Sequence, residues 1–298
     1  MLKKMKNVAK NPKSLLIALI NKLHFLSDKT YLKIRYYIEF GKRLDLKNPK
    51  TFNEKLNWLK LYDRNPEYPK MSDKFEVREY IKEKIGEEYL IPLLGVWNNF
   101  AEIDFNSLPN QFVLKCTHDS GSVVICKDKS NFDIEKARKK INAKMKKNLY
   151  WWAREWVYKD LNPRIIAEKY MEDDIHKDIL DYKFFCFNGE PKYIYISKNM
   201  SNHENASMCF CDMSYNKAPF GRTDYKEMKC VPEKPIAFDK MKELSKILSE
   251  NHKFLRVDFY NINGKVYFGE LTFYTAAGYT QWTPKEWDLE LGKMLNIE

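Results

Sequence analysis

"RVDFYNINGKVYFGELT", residues 256–272, is the stretch on which the fold turns. Two runs rich in branched and aromatic residues flank Asn263-Gly264, a strong signal for a β-hairpin. Alternate side chains of a strand share a face, so loop length decides whether Asp258 and Glu270 meet. With a two-residue loop, Ile262 pairs with Lys265, Asp258 opposes Gly269, and Glu270 points to the other face. With the loop Ile262-Asn263-Gly264, Asn261 pairs with Lys265 and Gly264 takes a left-handed position. Arg256 then opposes Glu270, and Arg256, Asp258, Glu270 and Thr272 share one face. This second register is the expectation, with Gly264 at positive φ. It brings two acids within reach of one hard cation, and magnesium favours such an oxygen site, completed by water and phosphate oxygens. A surface ladder of salt bridges is the competing reading of the same residues.

Outward from this hairpin the pattern alternates helices and hairpins. "NEKLNWLKLY" (53–62) has helical spacing at Trp58, Leu61 and Tyr62, and "DKFEVREYIKEKIG" (73–86) reads as a helix capped by Asp73 and stopped by Gly86. "YLIPLLGVW" (89–97), "QFVLK" (111–115), "SVVICKD" (122–128) and "PRIIAEKYM" (163–171) read as strands. Residues 134–147 place Ile134, Ala137, Ile141 and Met145 on one helical face, opposite a lysine-rich one. "DYKFFCFNGEPKYIYISK" (181–198) is a second Asn-Gly hairpin, 199–237 reads as irregular, and 239–252 is a helix with Met241, Leu244, Ile247 and Leu248 inward. The fold class is α+β with antiparallel sheets.

The chain has 298 residues and a net charge of +11, 44% of it hydrophobic, which is enough to build a sizeable core. The charge is uneven. Residues 1–50 hold 13 Lys and Arg against 3 Asp and Glu, whereas the remainder holds 39 against 38. The basic character therefore belongs to the N-terminal region. "SLLIALINKLHFL" (14–26) has no apolar run near the roughly 18 residues that span a bilayer, and it lacks the small-residue cleavage site of a leader. It reads either as a basic amphipathic helix on anionic lipid or as a helix packed on the main domain with solvated lysines. A neutral remainder without a nucleic-acid motif argues against nucleic acid. Six cysteines without a CxxC pair are expected as reduced thiols in a cytoplasmic protein, peripheral on the inner face of a membrane if the N-terminal helix binds lipid.

Phosphate chemistry enters with "VLKCTHDSGS" (113–122). A lysine ends a strand just before a small flexible loop, so backbone N–H groups of Ser120, Gly121 and Ser122 can cradle phosphate with Lys115 as the point charge. An ordinary hairpin turn is the bland alternative. "IIAEKYM" offers Glu168 and backbone groups beside apolar residues, suited to an adenine amino group or merely a strand end. Walker A, HExxH, GxSxG and a strand-end DxD are all missing.

With these pieces in order, the chain resembles the ATP-grasp ligases, and among them the TupA-like group of cell-surface polysaccharide clusters. The resemblance runs from about residue 50 onward through "FNEKLNWLKLYDR", "SDKFEVREYI", "FVLKCTHDSGSVVICKD", "IIAEKYM", "DYKFFCFNGEPKYIYI" and "RVDFY…GKVYFGELTFYTAAG". It implies an ATP-grasp fold of two α+β subdomains clasping ATP, 71–170 and 171–298, after a basic helical region, 1–70. It implies ATP phosphates on Lys74 and Lys115 under the loop Ser120–Ser122, and adenine against Glu168, Lys169, Tyr170 and Met171. Magnesium falls to Asp258, Glu270 and Thr272, with Arg256, Lys115 and Lys183 as the catalytic cations and Lys183 also on the nucleotide. Thr272 stands where the family carries Asn, and the loop has fewer glycines than usual. The implied reaction phosphorylates a carboxylate and lets an amine, such as an amino acid, attack it with release of ADP. The implied acceptor is a sugar acid of a free or lipid-linked glycan. A glycan kinase or glycosyltransferase of the same pathway, or a non-catalytic nucleotide-binding adaptor, are the alternatives.

Overall fold

The computed structural model describes residues 12–173, 179–198 and 206–298, so residues 1–11 of the basic region and residues 199–205 of the irregular stretch lie outside it. The chain starts with helices α1 (Pro12–Ile20), α2 (Asp28–Phe40), α3 (Phe52–Tyr62), α4 (Tyr68–Ser72) and α5 (Val77–Lys84). Ser27 caps α2, its hydroxyl accepting from the Thr30 N–H. Thr51 and Glu54 close a capping box on α3. The inner face of α3 differs from the expected one. Phe52, Asn53, Leu56, Asn57, Leu59 and Lys60 are buried, whereas Tyr62 is exposed. Regular helix α5 begins only at Val77. Asp73 caps the turn before it, its Oδ1 accepting from the N–H groups of Phe75 at 2.8 Å and Glu76 at 3.0 Å.

Strands β1 (Leu93–Trp97), β2 (Phe112–Cys116), β3 (Val124–Cys126) and β4 (Ile165–Lys169) form an antiparallel sheet in the order β1-β4-β2-β3, with helices α6 (Ile134–Met145) and α7 (Tyr150–Ala153) between β3 and β4. Ala137 and Ile141 of α6 join Phe112, Leu114, Ile165 and Ala167 in one apolar core. A larger sheet takes strands β5 (Asp181–Phe187), β6 (Glu190–Lys198), β7 (Ser207–Asp212), β9 (Lys226–Glu227), β10 (Phe254–Ile262) and β11 (Lys265–Thr272) in the order β11-β10-β5-β6-β7-β9. β8 (Gly221–Arg222) pairs instead with β12 (Trp282–Thr283). The stretch expected to be irregular thus supplies strand β7 to this sheet. Helix α8 (Phe238–Ser249) covers it, burying Met241, Leu244, Ser245 and Leu248, while Ile247 stays half-exposed. The chain ends with α9 (Trp287–Met294). The large core joins α3–α5 to this sheet. All six cysteines are free thiols, and Cys230 alone among them is exposed. No helix among the described residues is long and apolar enough to cross a membrane.

The deciding hairpin uses neither expected register in full. Its loop is the two-residue one, with Ile262 paired to Lys265 and left-handed φ at Asn263 (51°) and Gly264 (76°). A bulge then corrects the parity. Asp258 pairs with Glu270 and Phe259 with Phe268, so Gly269 is the extra residue. Arg256 opposes Thr272 rather than Glu270. Beyond the bulge Asp258 and Glu270 face the same way, by a device the loop-length argument did not contain.

The two glycines should respond differently to substitution. Gly264 has open space around it, so Gly264→Ala should lose only about 1 kcal/mol to left-handed strain. A Cβ on Gly269 would meet the Asp258 carbonyl oxygen at 3.1 Å and the Tyr260 ring at 3.3 Å. Gly269→Val should therefore cost more, about 1–3 kcal/mol in urea denaturation. Equal losses would remove the close-approach account of the bulge.

Candidate active site

Lys183 on β5 lies directly across the ladder from Asp258 on β10, and Asp258 lies directly across from Glu270 on β11. Three neighbouring strands thus place one cation and two carboxylates in a row on one face. Arg256, two residues before Asp258, folds back over the row. It donates from Nε to Asp258 Oδ1 at 2.7 Å and from Nη2 to Asp258 Oδ2 at 2.7 Å and Glu270 Oε1 at 2.5 Å. Lys183 Nζ donates to Asp258 Oδ2 at 2.7 Å and lies 3.6 Å from Asp181 Oδ2. Thr272 donates its hydroxyl to Glu270 Oε1 at 3.3 Å. Asp258 is buried, whereas Glu270 keeps 43% of its side chain exposed, into the cleft.

These groups set one another's protonation. Burial alone would raise the Glu270 carboxyl, but Arg256, Lys183 and Lys74 hold it down at about 2, aided by the Thr272 hydroxyl. Burial would lower Lys183 and Arg256, yet the surrounding carboxylates, Asp258 foremost, raise both. Asp181 is raised, chiefly by burial, with Asp258 and Glu270 adding to the effect against Lys183.

The smaller sheet brings a second ion-pair set to the same cleft. Lys115 on β2 pairs with Ile166 on β4, so Glu168 shares its face two residues on. Lys115 Nζ donates to Glu168 Oε2 at 2.6 Å, and Arg78 Nη1 reaches Glu168 Oε1 at 3.5 Å. The Lys74 N–H donates to the Thr117 carbonyl at 3.0 Å, which ties the start of the α5 segment to the loop after β2. The Lys74 ammonium donates to the Asp119 carbonyl. Lys144 from α6 holds the same loop, 2.8 Å from the Ser120 carbonyl and 3.4 Å from Asp119 Oδ2.

Two cavities meet on these residues. The smaller, about 210 Å³, is lined by Lys74, Arg78, Lys115, Glu168, Lys183 and Asp258, among others, with Ser120 and Gly121 at its edge. The larger, about 600 Å³, is lined by Arg256, Glu270, Thr272, Glu155, Trp152 and Arg222, among others. Lys74, Ser120, Asp181, Lys183, Gly269 and Glu270 belong to both.

Of the expected residues, Ser122, Lys169, Tyr170 and Met171 line neither cavity. The Ser122 hydroxyl accepts from the Cys116 N–H at 2.8 Å, a structural bond that closes the loop. The Lys169 N–H donates to the Pro92 carbonyl, and the Lys127 ammonium lies 5.5 Å from the Tyr170 ring centre. Several cleft residues were not read from the sequence. Asp181 shares Lys183's face by strand parity and Arg78 lies one turn from Lys74, so both were legible. Glu155 and Arg35 come from distant segments and carry no local signal. Glu155 is buried on the wall of the larger cavity, and that burial raises its carboxyl against the pull of Lys60, Arg35 and Arg256.

A family model described as TupA-like ATPgrasp matches residues 54–296. Among solved structures, the chain is similar to a D-alanine–D-alanine ligase from Bacillus anthracis in complex with ATP, at 16% identity over 68% of this chain and 55% of that one, with a TM-score of 0.39. It is similar to a D-alanine–D-alanine ligase from Helicobacter pylori at 13% identity, over 82% and 69% of the two chains, with a TM-score of 0.40. It is also similar to an N5-carboxyaminoimidazole synthase from Aspergillus clavatus in complex with ADP and 5-aminoimidazole ribonucleotide, at 13% identity over 68% and 44%, with a TM-score of 0.38. The chain thus spans about half the length of the first and third of these proteins. No curated protein matches it.

The Glu270 shift has a definite sign. Its carboxyl titrates lower in the folded chain than the ordinary value of 4.5, so the unfolded state binds more protons in between. The stability it contributes is complete above pH 4.5 and is lost as pH falls through about 2. Urea denaturation across that window should show a shallower acid loss for Glu270→Gln than for the parent. Parallel curves would mean that Arg256 and Lys183 do not hold this carboxylate.

Proposed function

The chain belongs to the TupA-like ATP-grasp family, and on that premise we propose that it is an ATP-dependent, ADP-forming carboxylate–amine ligase. Its proposed substrates are a sugar acid of a cell-surface polysaccharide, free or lipid-linked, and an amine, foremost an amino acid. The observation that carries this reading is the pair of cavities meeting on Lys74, Lys183 and Glu270. A triphosphate in the smaller cavity would present its terminal phosphoryl group where an acceptor in the larger one can reach it. We keep the division into a basic region 1–70 and ATP-grasp subdomains 71–170 and 171–298 as part of the proposal. Residues 1–50 are the part assigned to an anionic membrane surface, on its cytoplasmic side.

The charge inventory argues for a metal ion. Lys74, Arg78, Lys115, Lys183 and Arg256 face Glu168, Asp181, Asp258 and Glu270, five cations against four carboxylates. That surplus of one does not neutralise a triphosphate, so nucleotide has to arrive with its own cations. The donor set suits magnesium: carboxylate oxygens of Asp258 and Glu270 and the Thr272 hydroxyl, all hard ligands. Among the described residues no group of three or more His, Cys, Asp or Glu is arranged to hold a metal ion. Magnesium would supply charge neutralisation on the β- and γ-phosphates. Lys74 and Lys115 would hold the phosphates, with Ser120 and Gly121 over them. Glu168, Lys169, Tyr170 and Met171 remain the proposed adenine side.

An acceptor carboxylate oxygen bonds to the γ-phosphorus, the bond to the β–γ bridging oxygen breaks, and ADP leaves with the electron pair. The amine nitrogen then bonds to the acyl carbon, the bond from that carbon to the phosphate oxygen breaks, and inorganic phosphate leaves with the electron pair and takes up the proton that the amine gives up. Arg256 lines the larger cavity, and a guanidinium there would stabilise the negative charge that gathers in both steps. Aromatic rings and guanidinium groups in the larger cavity, Trp152, Tyr279, Arg35 and Arg222, suit a sugar bearing a carboxylate.

ADP release, screened over uronic acids and amino acids in pairs, tests this reading. ADP that needs both partners supports a ligase, ADP that ignores the amine indicates a kinase, and consumption of a nucleotide sugar indicates a transferase. Glu270→Gln should lower coupled turnover by about 10³-fold or more. Lys115→Met should raise the ATP Kd by about 10–100-fold through loss of a charge-assisted contact. Near-parental turnover in Glu270→Gln would return these residues to a salt-bridge ladder.

A further inference from the structure

Some surface cations among the described residues are paired. Lys70, Lys82, Lys217, Lys234, Lys240, Lys246 and Lys293 each lie within an ion pair with a neighbouring carboxylate. One group without such partners gathers around a single groove. Lys29 and Lys33 of α2, with Arg43 and Lys47 of the loop after it, line a groove of about 520 Å³. None of the four forms an ion pair among the described residues. The one acid in the groove, Asp45, turns its Oδ1 to the N–H groups of Lys47 and Asn48 at 2.9 and 3.0 Å. Four positive charges against the single carboxylate of Asp45 leave the groove net positive, which favours anions.

Exposed apolar side chains are frequent in the same N-terminal segment. Of the fourteen exposed large apolar side chains among the described residues, six lie within residues 12–40. Leu15, Leu16 and Leu19 stand out from α1 while Ile20 packs inward, and Phe25 just after it is 82% exposed. Tyr37 on α2 and Tyr62 on the groove wall are exposed as well. Exposed apolar side chains and unpaired lysines in the same N-terminal segment supply what the two layers of a bilayer interface take, acyl chains for the first and anionic headgroups for the second.

We infer that α1, α2 and the loop to Lys47 form a membrane-docking surface, with Leu15, Leu16, Leu19 and Phe25 entering the interface and Lys29, Lys33, Arg43 and Lys47 binding anionic lipid headgroups. Helix α2 links this surface to the cleft. Lys29 and Lys33 face the groove, while Arg35 and Glu39 of the same helix line the larger cavity. A docked protein would hold that cavity about one helix diameter, roughly 10 Å, from the lipid. This geometry favours an acceptor that stays lipid-linked, and that last point rests on the ligase reading above.

Cosedimentation of the full chain with phosphatidylcholine vesicles, with and without about a third phosphatidylglycerol, tests the docking. The parent should bind the anionic vesicles at low salt, bind the neutral ones at least tenfold more weakly, and release as salt rises. Lys29→Glu with Lys33→Glu and Arg43→Glu should weaken anionic binding at least tenfold. Leu15→Ser with Leu19→Ser should leave a weaker association that salt abolishes. Lys240→Glu with Lys246→Glu should bind as the parent does. ATP binding by all three variants should match the parent, because none of these residues lies in the nucleotide cavity. Absent binding to anionic vesicles, equal binding to both vesicle types, or parental binding by the groove variant would each overturn the proposal. A concentration-dependent dimer lost in the leucine variant, without vesicle binding, would assign the apolar face to a second copy and overturn it too. ADP release measured on the same preparations keeps the two readings apart. Docking can fail while coupled turnover persists, and turnover can be absent while docking holds.

Discussion

Two carboxylates directly opposite on adjacent strands should not coexist without help. Asp258 and Glu270 occupy such a pair, where Cβ atoms lie about 5 Å apart. At that distance, with an effective dielectric near 20, like charges cost roughly 3 kcal/mol. Arg256 answers this by lying across both, and Lys183 by bonding Asp258 from the next strand. Removing either cation would leave a buried acid exposed to the other's field, which is why the four residues act as one unit.

Everything else in the cleft is arranged around that unit. The β10–β11 bulge aims Glu270. The β5–β10 ladder aims Lys183. The smaller sheet contributes Lys115 and Glu168 already paired to each other, and the Lys74 ammonium rests on a loop carbonyl. Each cation is held by an internal acceptor, so none collapses into the cavities. On the proposed reading, a triphosphate arriving with its own cations would exchange these acceptors for phosphate oxygens.

Much of this was legible because strands advertise themselves. Period-two patterns and Asn-Gly turns located β5, β6, β10 and β11, and parity named the residues that share a face. The failures have physical reasons. Parity holds only while a strand carries no extra residue, and Gly269 inside β11 was the available sign of a bulge. Strand β7 was missed because "SMCFCD" was read for its thiols rather than for its apolar, aromatic content. The inner face of α3 was misjudged because two asparagines and a lysine face inward. Apolar periodicity cannot announce a polar face whose partners, Ala153, Ala277, Gly278 and Thr280, lie far along the chain.

That polar face shows why the N-terminal helices cannot be treated as an appendage. After β11 the chain turns sharply, with left-handed φ at Ala276 (46°), Ala277 (53°) and Gly278 (67°). Such a turn is costly for alanine, and its carbonyls point into the protein. Lys60, fully buried, donates to the Ala277 carbonyl at 2.7 Å and to that of Ala153 at 3.0 Å. Asn57 donates to the Gly278 carbonyl and Asn53 to that of Thr280, both at 2.9 Å. Helix α3 thus satisfies the strained turn group by group, and the turn forms a wall of the larger cavity directly after Thr272. The neighbouring α2 contributes Arg35 and Glu39 to the same wall. The region that carries most of the protein's excess charge therefore also builds, with Arg35 and Glu39, a wall of the cavity proposed for the acceptor.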